Sequence, residues 1–93
     1  MVIHYNVREP YMNINLEYYK IFYTVAKCHN ISEAADKLFI SQPAVSKSIK
    51  KLEEMLSIKL FYRNSRGVAL TKEGAYLLEY VEKALTSLND VKN

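Results

Sequence analysis

Apolar residues recur at helical spacing from Leu16 onward, at Leu16, Tyr19, Ile21, Phe22, Tyr23, Val25 and Ala26, and Asn15 stands where an N-cap belongs. This pattern predicts a first helix ending near Cys28. His29-Asn30 breaks it, and Ser32-Glu33 supplies a cap oxygen and a first-turn negative charge for a short helix through Leu38. Ala34 and Ala35 flatten one side of that helix. Phe39-Ile40-Ser41 interrupts again, and Ser41-Gln42-Pro43 restarts a helix with a capping hydroxyl and a proline in the first turn. It runs to about Leu56. Its apolar set, Val45, Ile49, Leu52 and Leu56, falls within a narrow arc, while Lys47, Lys50 and Lys51 lie opposite with Pro43. Two extended runs, Ile58 to Arg63 and Val68 to Leu70, flank the polar tip Asn64-Ser65-Arg66-Gly67 and predict a β-hairpin. Thr71 then caps a last helix from Lys72, with Glu73 in its first turn. Met1 to Tyr11 has no helical period and reads as a loose leader, with Met12 as a second possible start. The expected organisation is a leader (1–11), a compact unit (12–71) and a long terminal helix (72–93).

The 93 residues are enough for one core and too few for two. With 49% hydrophobic and 25% charged residues the chain has the composition of a folded domain rather than of a disordered segment. No apolar run approaches the ~20 residues of a membrane span, and the N-terminal segment lacks the pattern of a signal peptide. The single cysteine, Cys28, excludes an internal disulfide and fits a cytoplasmic setting. Charge is unevenly placed. Ser41 to Gly67 holds six basic residues (Lys47, Lys50, Lys51, Lys59, Arg63, Arg66) against Glu53 and Glu54, a local balance of +4, and the rest of the chain sums to −1. Such a segment suits a surface that meets a polyanion, although a solvated lysine face gives the same count.

Catalytic chemistry finds little material. His4 lies in the leader and His29 in a turn, with no cysteine or carboxylate grouping at ligand spacing, so neither metal nor cofactor is expected. The two glycines, Gly67 and Gly74, cannot build a phosphate-cradling loop. Tyr18, Tyr19, Phe22 and Tyr23 are spaced as a core or partner face rather than as a base-stacking platform. The segment from Ala34 to Lys51 is more informative, because two helices joined by a short turn make a helix-turn-helix. An ordinary helical hairpin would share that arrangement. The second helix differs in its outer face, where Ser41, Gln42, Pro43, Ala44, Ser46 and Lys47 offer short polar and apolar groups for base edges, and Lys50 and Lys51 add cations for phosphate.

Ala34-Ala35-Asp36-Lys37-Leu38, Ser41-Gln42-Pro43-Ala44-Val45-Ser46, Ile49, Leu52-Glu53, Leu56, Leu60-Phe61, Arg63, Gly67, Leu70-Thr71 and Gly74 together resemble the N-terminal region of LysR-type transcriptional regulators. The resemblance runs from about Met12 to the end. It implies a mainly α fold, a winged helix-turn-helix of three helices and a β-hairpin wing followed by a long linker helix. It further implies sequence-specific binding of double-stranded DNA, with the helix from Gln42 as recognition helix, Arg63 to Val68 as wing and the helix from Lys72 as the element pairing two subunits. Ser57 departs from the family, which commonly has glycine there, and this puts the wing's angle in question. The effector-binding domain of the family has no counterpart in this length, so no effector ligand is expected here, and a last helix without a glycine stop favours a fragment over a stand-alone module.

Arg66, at the wing tip beside Gly67, is placed to reach a minor groove, and Arg63 serves either the wing or a structural clamp on a nearby acid. Leu78, Val81, Leu85 and Leu88 repeat at three- and four-residue steps along a helix of ~30 Å, which predicts a homodimer through this stripe with help from Tyr18 and Tyr19. The intramolecular alternative lays the stripe back on the first helix. A functional rival keeps the fold and makes it a protein-protein interaction module whose basic face docks an acidic partner.

Overall fold

Each described helix starts on a side chain that satisfies a free backbone N–H. The computed structural model describes residues 15–92, so the leader and Met12 lie outside the described residues. Asn15 Oδ1 accepts from the Glu17 N–H at 2.9 Å and starts α1, Leu16–Cys28. Asn30 Oδ1 accepts from the Glu33 N–H at 2.8 Å and starts α2, Ile31–Leu38. The cap is therefore Asn30 and not Ser32: Asn30 has the extended backbone a cap requires, whereas Ser32 already lies within the first turn. Ser41 Oγ accepts from the Ala44 N–H at 3.2 Å and starts α3, Gln42–Leu56, with Pro43 in its first turn. Thr71 Oγ1 accepts from the Gly74 N–H at 2.9 Å and starts α4, Lys72–Lys92.

The first three helices end on a left-handed residue that is not glycine: His29 (φ 58°), Phe39 (φ 60°) and Ser57 (φ 58°). At the last two, paired reverse bonds close the end. Phe39 N–H donates to the Asp36 carbonyl and Ile40 N–H to that of Ala35; Ser57 N–H donates to Glu54 and Ile58 N–H to Glu53. Ser57 thus adopts the conformation that glycine would adopt more cheaply.

Phe22 and Val25 of α1, Val45 and Leu52 of α3 and Leu60 are fully buried and form the centre of the core. Ala34 and Ala35 are buried as well, so α2 closes on α1 and α3 through small side chains. Strands β1 (Phe61–Asn64) and β2 (Gly67–Leu70) pair antiparallel, with Phe61 opposite Leu70 and Asn64 opposite Gly67. The pairing is shorter than the apolar run predicts, because Ile58 to Leu60 form the connection from α3 and not strand. Ser65-Arg66 is a two-residue tip, tightened by Arg66 N–H donating to Asn64 Oδ1 at 2.8 Å. Close behind this tip the hairpin leans on the end of α1, where Val68 N–H donates to the carbonyl of His29, the residue that closes that helix, at 3.2 Å. Gly67 (φ 138°) sits against that carbonyl, and a Cβ there would collide with it.

Helix α4 crosses beneath this assembly. Val81 enters the core, Leu77, Leu78 and Leu85 pack against it, and Lys27 of α1 bridges Glu82 at 3.3 Å. Its start is fixed by close approach: a side chain at Gly74 would strike the Leu60 carbonyl oxygen, and the Thr71 hydroxyl donates to the Lys59 carbonyl at 2.6 Å. Beyond Leu85 the helix leaves the body, with Leu88 54% and Val91 84% exposed. The result is the winged helix-turn-helix with a trailing helix that the sequence implies.

Candidate nucleic-acid interface

The outer face of α3 carries the charge. Pro43, Lys47 and Lys50 form one exposed ridge, Gln42 and Lys51 flank it in the open, and Ser46 and Ala44 are half-buried at its margins. The opposite arc is Val45, Ile49 and Leu52, all buried, so packing on one side holds the basic side outward. Ser41 is exposed; one lone pair of its oxygen caps the helix, which leaves the hydroxyl proton and a second lone pair free. Among the described residues the ion pairs are Lys27 with Glu82 and Lys59 with Glu53. Lys47, Lys50, Lys51, Arg63 and Arg66 take part in neither.

A cleft of about 750 Å³ runs between α3 and the hairpin, lined by Ser46, Lys47 and Lys50 on one wall and Lys59 and Arg63 on the other. Arg63 and Arg66 are both exposed, the former on β1 and the latter at the tip. Cations on α3 and the hairpin thus face a common space, with Glu53 and Glu54 also on its lining. Among the described residues no carboxylate pairs with Arg63.

Two residues that matter here are not among the site residues expected from the sequence. Glu53 Oε2 accepts from the backbone N–H groups of Leu60 at 2.7 Å and Phe61 at 3.3 Å, so the end of α3 grips the start of the hairpin and sets the wing relative to the helix. Its partners are seven and eight residues away and are backbone atoms, which carry no side-chain signature. Ser32 accepts a hydrogen bond from Gln42 Nε2 at 3.3 Å across the two helix starts. The signal at Ser32 was spent on capping, for which it was the wrong residue.

The expected pairing residues of α4 and α1 divide. Val81, expected at the dimer contact, is instead 5% exposed and packs into the chain's own core. Leu78, Leu85, Tyr18 and Tyr19 are half-buried against that core, as the intramolecular alternative expects, and Leu88 is open. Among the described residues no group of metal-ligating side chains assembles, and no helix is long and apolar enough to cross a membrane.

Comparison with known proteins agrees with this geometry. The chain is 39% identical over 79 residues to the HTH-type transcriptional regulator GltR of Bacillus subtilis, covering 85% of this chain and 27% of GltR. It is 46% identical over 72 residues to the regulator CitR of the same organism, covering 77% of this chain and 24% of CitR. The chain therefore spans about a quarter of the length of these curated relatives. Among solved structures, the BenM DBD in complex with catB site 1 DNA superposes with a TM-score of 0.80 at 37% identity, over 84% of this chain and 88% of that one. The CbnR DBD–DNA complex gives 0.79 at 30% identity, over 85% and 91%. Residues 16–75 match the profile of bacterial regulatory helix-turn-helix proteins of the lysR family, and the chain belongs to that family.

Proposed function

We propose that this chain is the DNA-binding part of a LysR-family transcription regulator, acting in the cytoplasm as a homodimer on double-stranded DNA. The observation that carries the reading is the face of α3: an exposed ridge of Pro43, Lys47 and Lys50, free of ion pairs and held outward by a buried opposite arc. The DNA complexes of BenM and CbnR, to which the fold is similar, support it. In this mechanism α3 enters a major groove, with Gln42, Pro43, Ala44 and Ser46 at base edges and Ser41, Lys47, Lys50 and Lys51 towards phosphates. Arg66 at the hairpin tip reaches an adjacent minor groove, and Arg63 meets its flanking phosphates.

Pairing through α4 supplies the two-fold geometry that fixes half-site separation. Its support is the exposed end of the helix at Leu88, with the open edges of Leu78, Leu85, Tyr18 and Tyr19 beside it and Val81 bracing the helix from within. The test is binding of a duplex recovered by selection against a scrambled duplex at the same ionic strength. A preference on the order of 10³ is expected, and equal affinity for the two would overturn sequence-specific recognition in favour of a generic basic surface or a protein-docking module.

A further inference from the structure

Gln42 is the first residue of α3, and Ser32 is the second residue of α2. Gln42 Nε2 donates to Ser32 Oγ at 3.3 Å, and both side chains are exposed at the surface that presents α3. Neither end of this contact hangs on a loop. Asn30 fixes the first turn of α2 through the Glu33 N–H at 2.8 Å, and Ser41 fixes the first turn of α3 through the Ala44 N–H at 3.2 Å.

A primary carboxamide carries one acceptor oxygen and two N–H donors, and its last torsion is broad and roughly two-fold. An unrestrained Gln42 could therefore present a base with two donors, or with a donor beside an acceptor. The distinction matters in the major groove. Adenine shows an acceptor at N7 beside a donor at N6, whereas guanine shows acceptors at both N7 and O6. With one N–H engaged by Ser32 Oγ, Gln42 retains Oε1 and a single N–H. That pair complements adenine and leaves guanine O6 facing an oxygen.

We propose that Ser32 is a positioning residue for base readout: by accepting a hydrogen bond from Gln42 it holds the carboxamide in one orientation and directs α3 towards adenine over guanine. The proposal rests on the reading of α3 as the recognition helix. Because the bond is exposed at both ends, its contribution to folding is small and its effect falls on recognition.

The experiment uses the full chain and a duplex recovered from a randomised library. The position read by Gln42 is the one whose base preference Gln42→Ala erases. At that position, dissociation constants for the adenine and guanine duplexes are measured for the wild type, Ser32→Ala, Ser32→Thr and the double variant Ser32→Ala with Gln42→Ala. The wild type is expected to favour adenine by about tenfold or more. Ser32→Ala reduces that ratio by about two- to tenfold, the worth of one hydrogen bond, while affinity for scrambled DNA is unchanged and Tm moves by no more than about 3 °C. Ser32→Thr keeps the hydroxyl and restores the ratio, and Ser32→Ala adds nothing once Gln42 is gone. An equal loss on both duplexes, or a guanine preference at that position, overturns the proposal while leaving α3 as the reader. If Gln42→Ala alters no position, the readout role of Gln42 falls and the proposal falls with it.

Discussion

Helices α3 and α4 obey the same burial rule and end with opposite surfaces. Each buries one apolar stripe, Val45, Ile49 and Leu52 in α3 and Val81 with its half-buried leucine neighbours in α4. Outside, α3 shows lysines and α4 shows Tyr76, Tyr80, Leu88 and Val91. Tyr76 and Tyr80 stack edge-on with ring centroids 5.1 Å apart and hydroxyls at 3.2 Å, a hydrogen bond that pushes the Tyr80 phenol above its ordinary value. Beside them a cleft of about 610 Å³ is lined by Leu56, Ile58 and Leu77. Exposed cations gain by meeting anions, and exposed apolar groups gain only by leaving water. On the proposed function, the two faces of one small body suit two different partners, the polyanion DNA for α3 and an apolar surface for α4.

That contrast breaks most visibly if the inner faces are not equivalent supports. Leu52→Ala is expected to cost about 2–5 kcal/mol by urea denaturation, since Leu52 is fully buried at the centre of the core. A loss below 1 kcal/mol would mean that α3 is not held by packing. Glu53→Ala comes next. It strands the N–H groups of Leu60 and Phe61 and should destabilise by about 1–3 kcal/mol, while lowering DNA affinity through a misplaced wing. Unchanged stability and affinity would show that the hairpin is positioned without it.

The outer faces are separated by a matched pair of charge changes. Leu88→Lys is expected to raise the dimer dissociation constant by about ten- to a hundredfold in sedimentation, from the ~1.5–3 kcal/mol of a buried leucine, with monomer stability unchanged. Leu88 is the better probe than Leu85, whose half-buried side chain also serves the chain's own core. A dimer indifferent to the change would remove the far end of α4 from the contact. Lys50→Ala should leave the dimer intact and weaken selected and scrambled duplexes about equally, lowering the salt slope by about 1. A loss confined to the selected duplex would instead make Lys50 a base reader. The smallest effect concerns the end of α3: Ser57→Gly should stabilise by about 0.4–1 kcal/mol, because glycine takes φ 58° without strain. A loss would show that Ser57 contributes more than its backbone.

Order, length and burial of the helices were legible in the sequence because they follow from local physics. Apolar spacing set the inner arcs, Asn15, Ser41 and Thr71 marked three helix starts, and Gly67 lay at the wing. The same locality explains the misreadings. The cap expected at Ser32 is taken instead by Asn30, whose backbone is extended as a cap requires. The strand signal from Ile58 starts before the residues that find a partner, since Phe61 already faces Leu70, where β2 ends. A stripe of leucines and a valine on α4 states that a surface will be covered but not by what. Only packing against α1 assigned Val81 to the chain's own core and left Leu88 outside.

The sequence alone determined which residues must leave water and where the positive charge would concentrate, because both depend on side-chain chemistry and helical period. The tertiary structure alone decided the contacts made through space: Glu53 on the backbone of Leu60 and Phe61, Gly74 against the Leu60 carbonyl, and Gln42 on Ser32. Each joins a side chain or a missing side chain to an atom on another element, and no spacing along the chain encodes that distance.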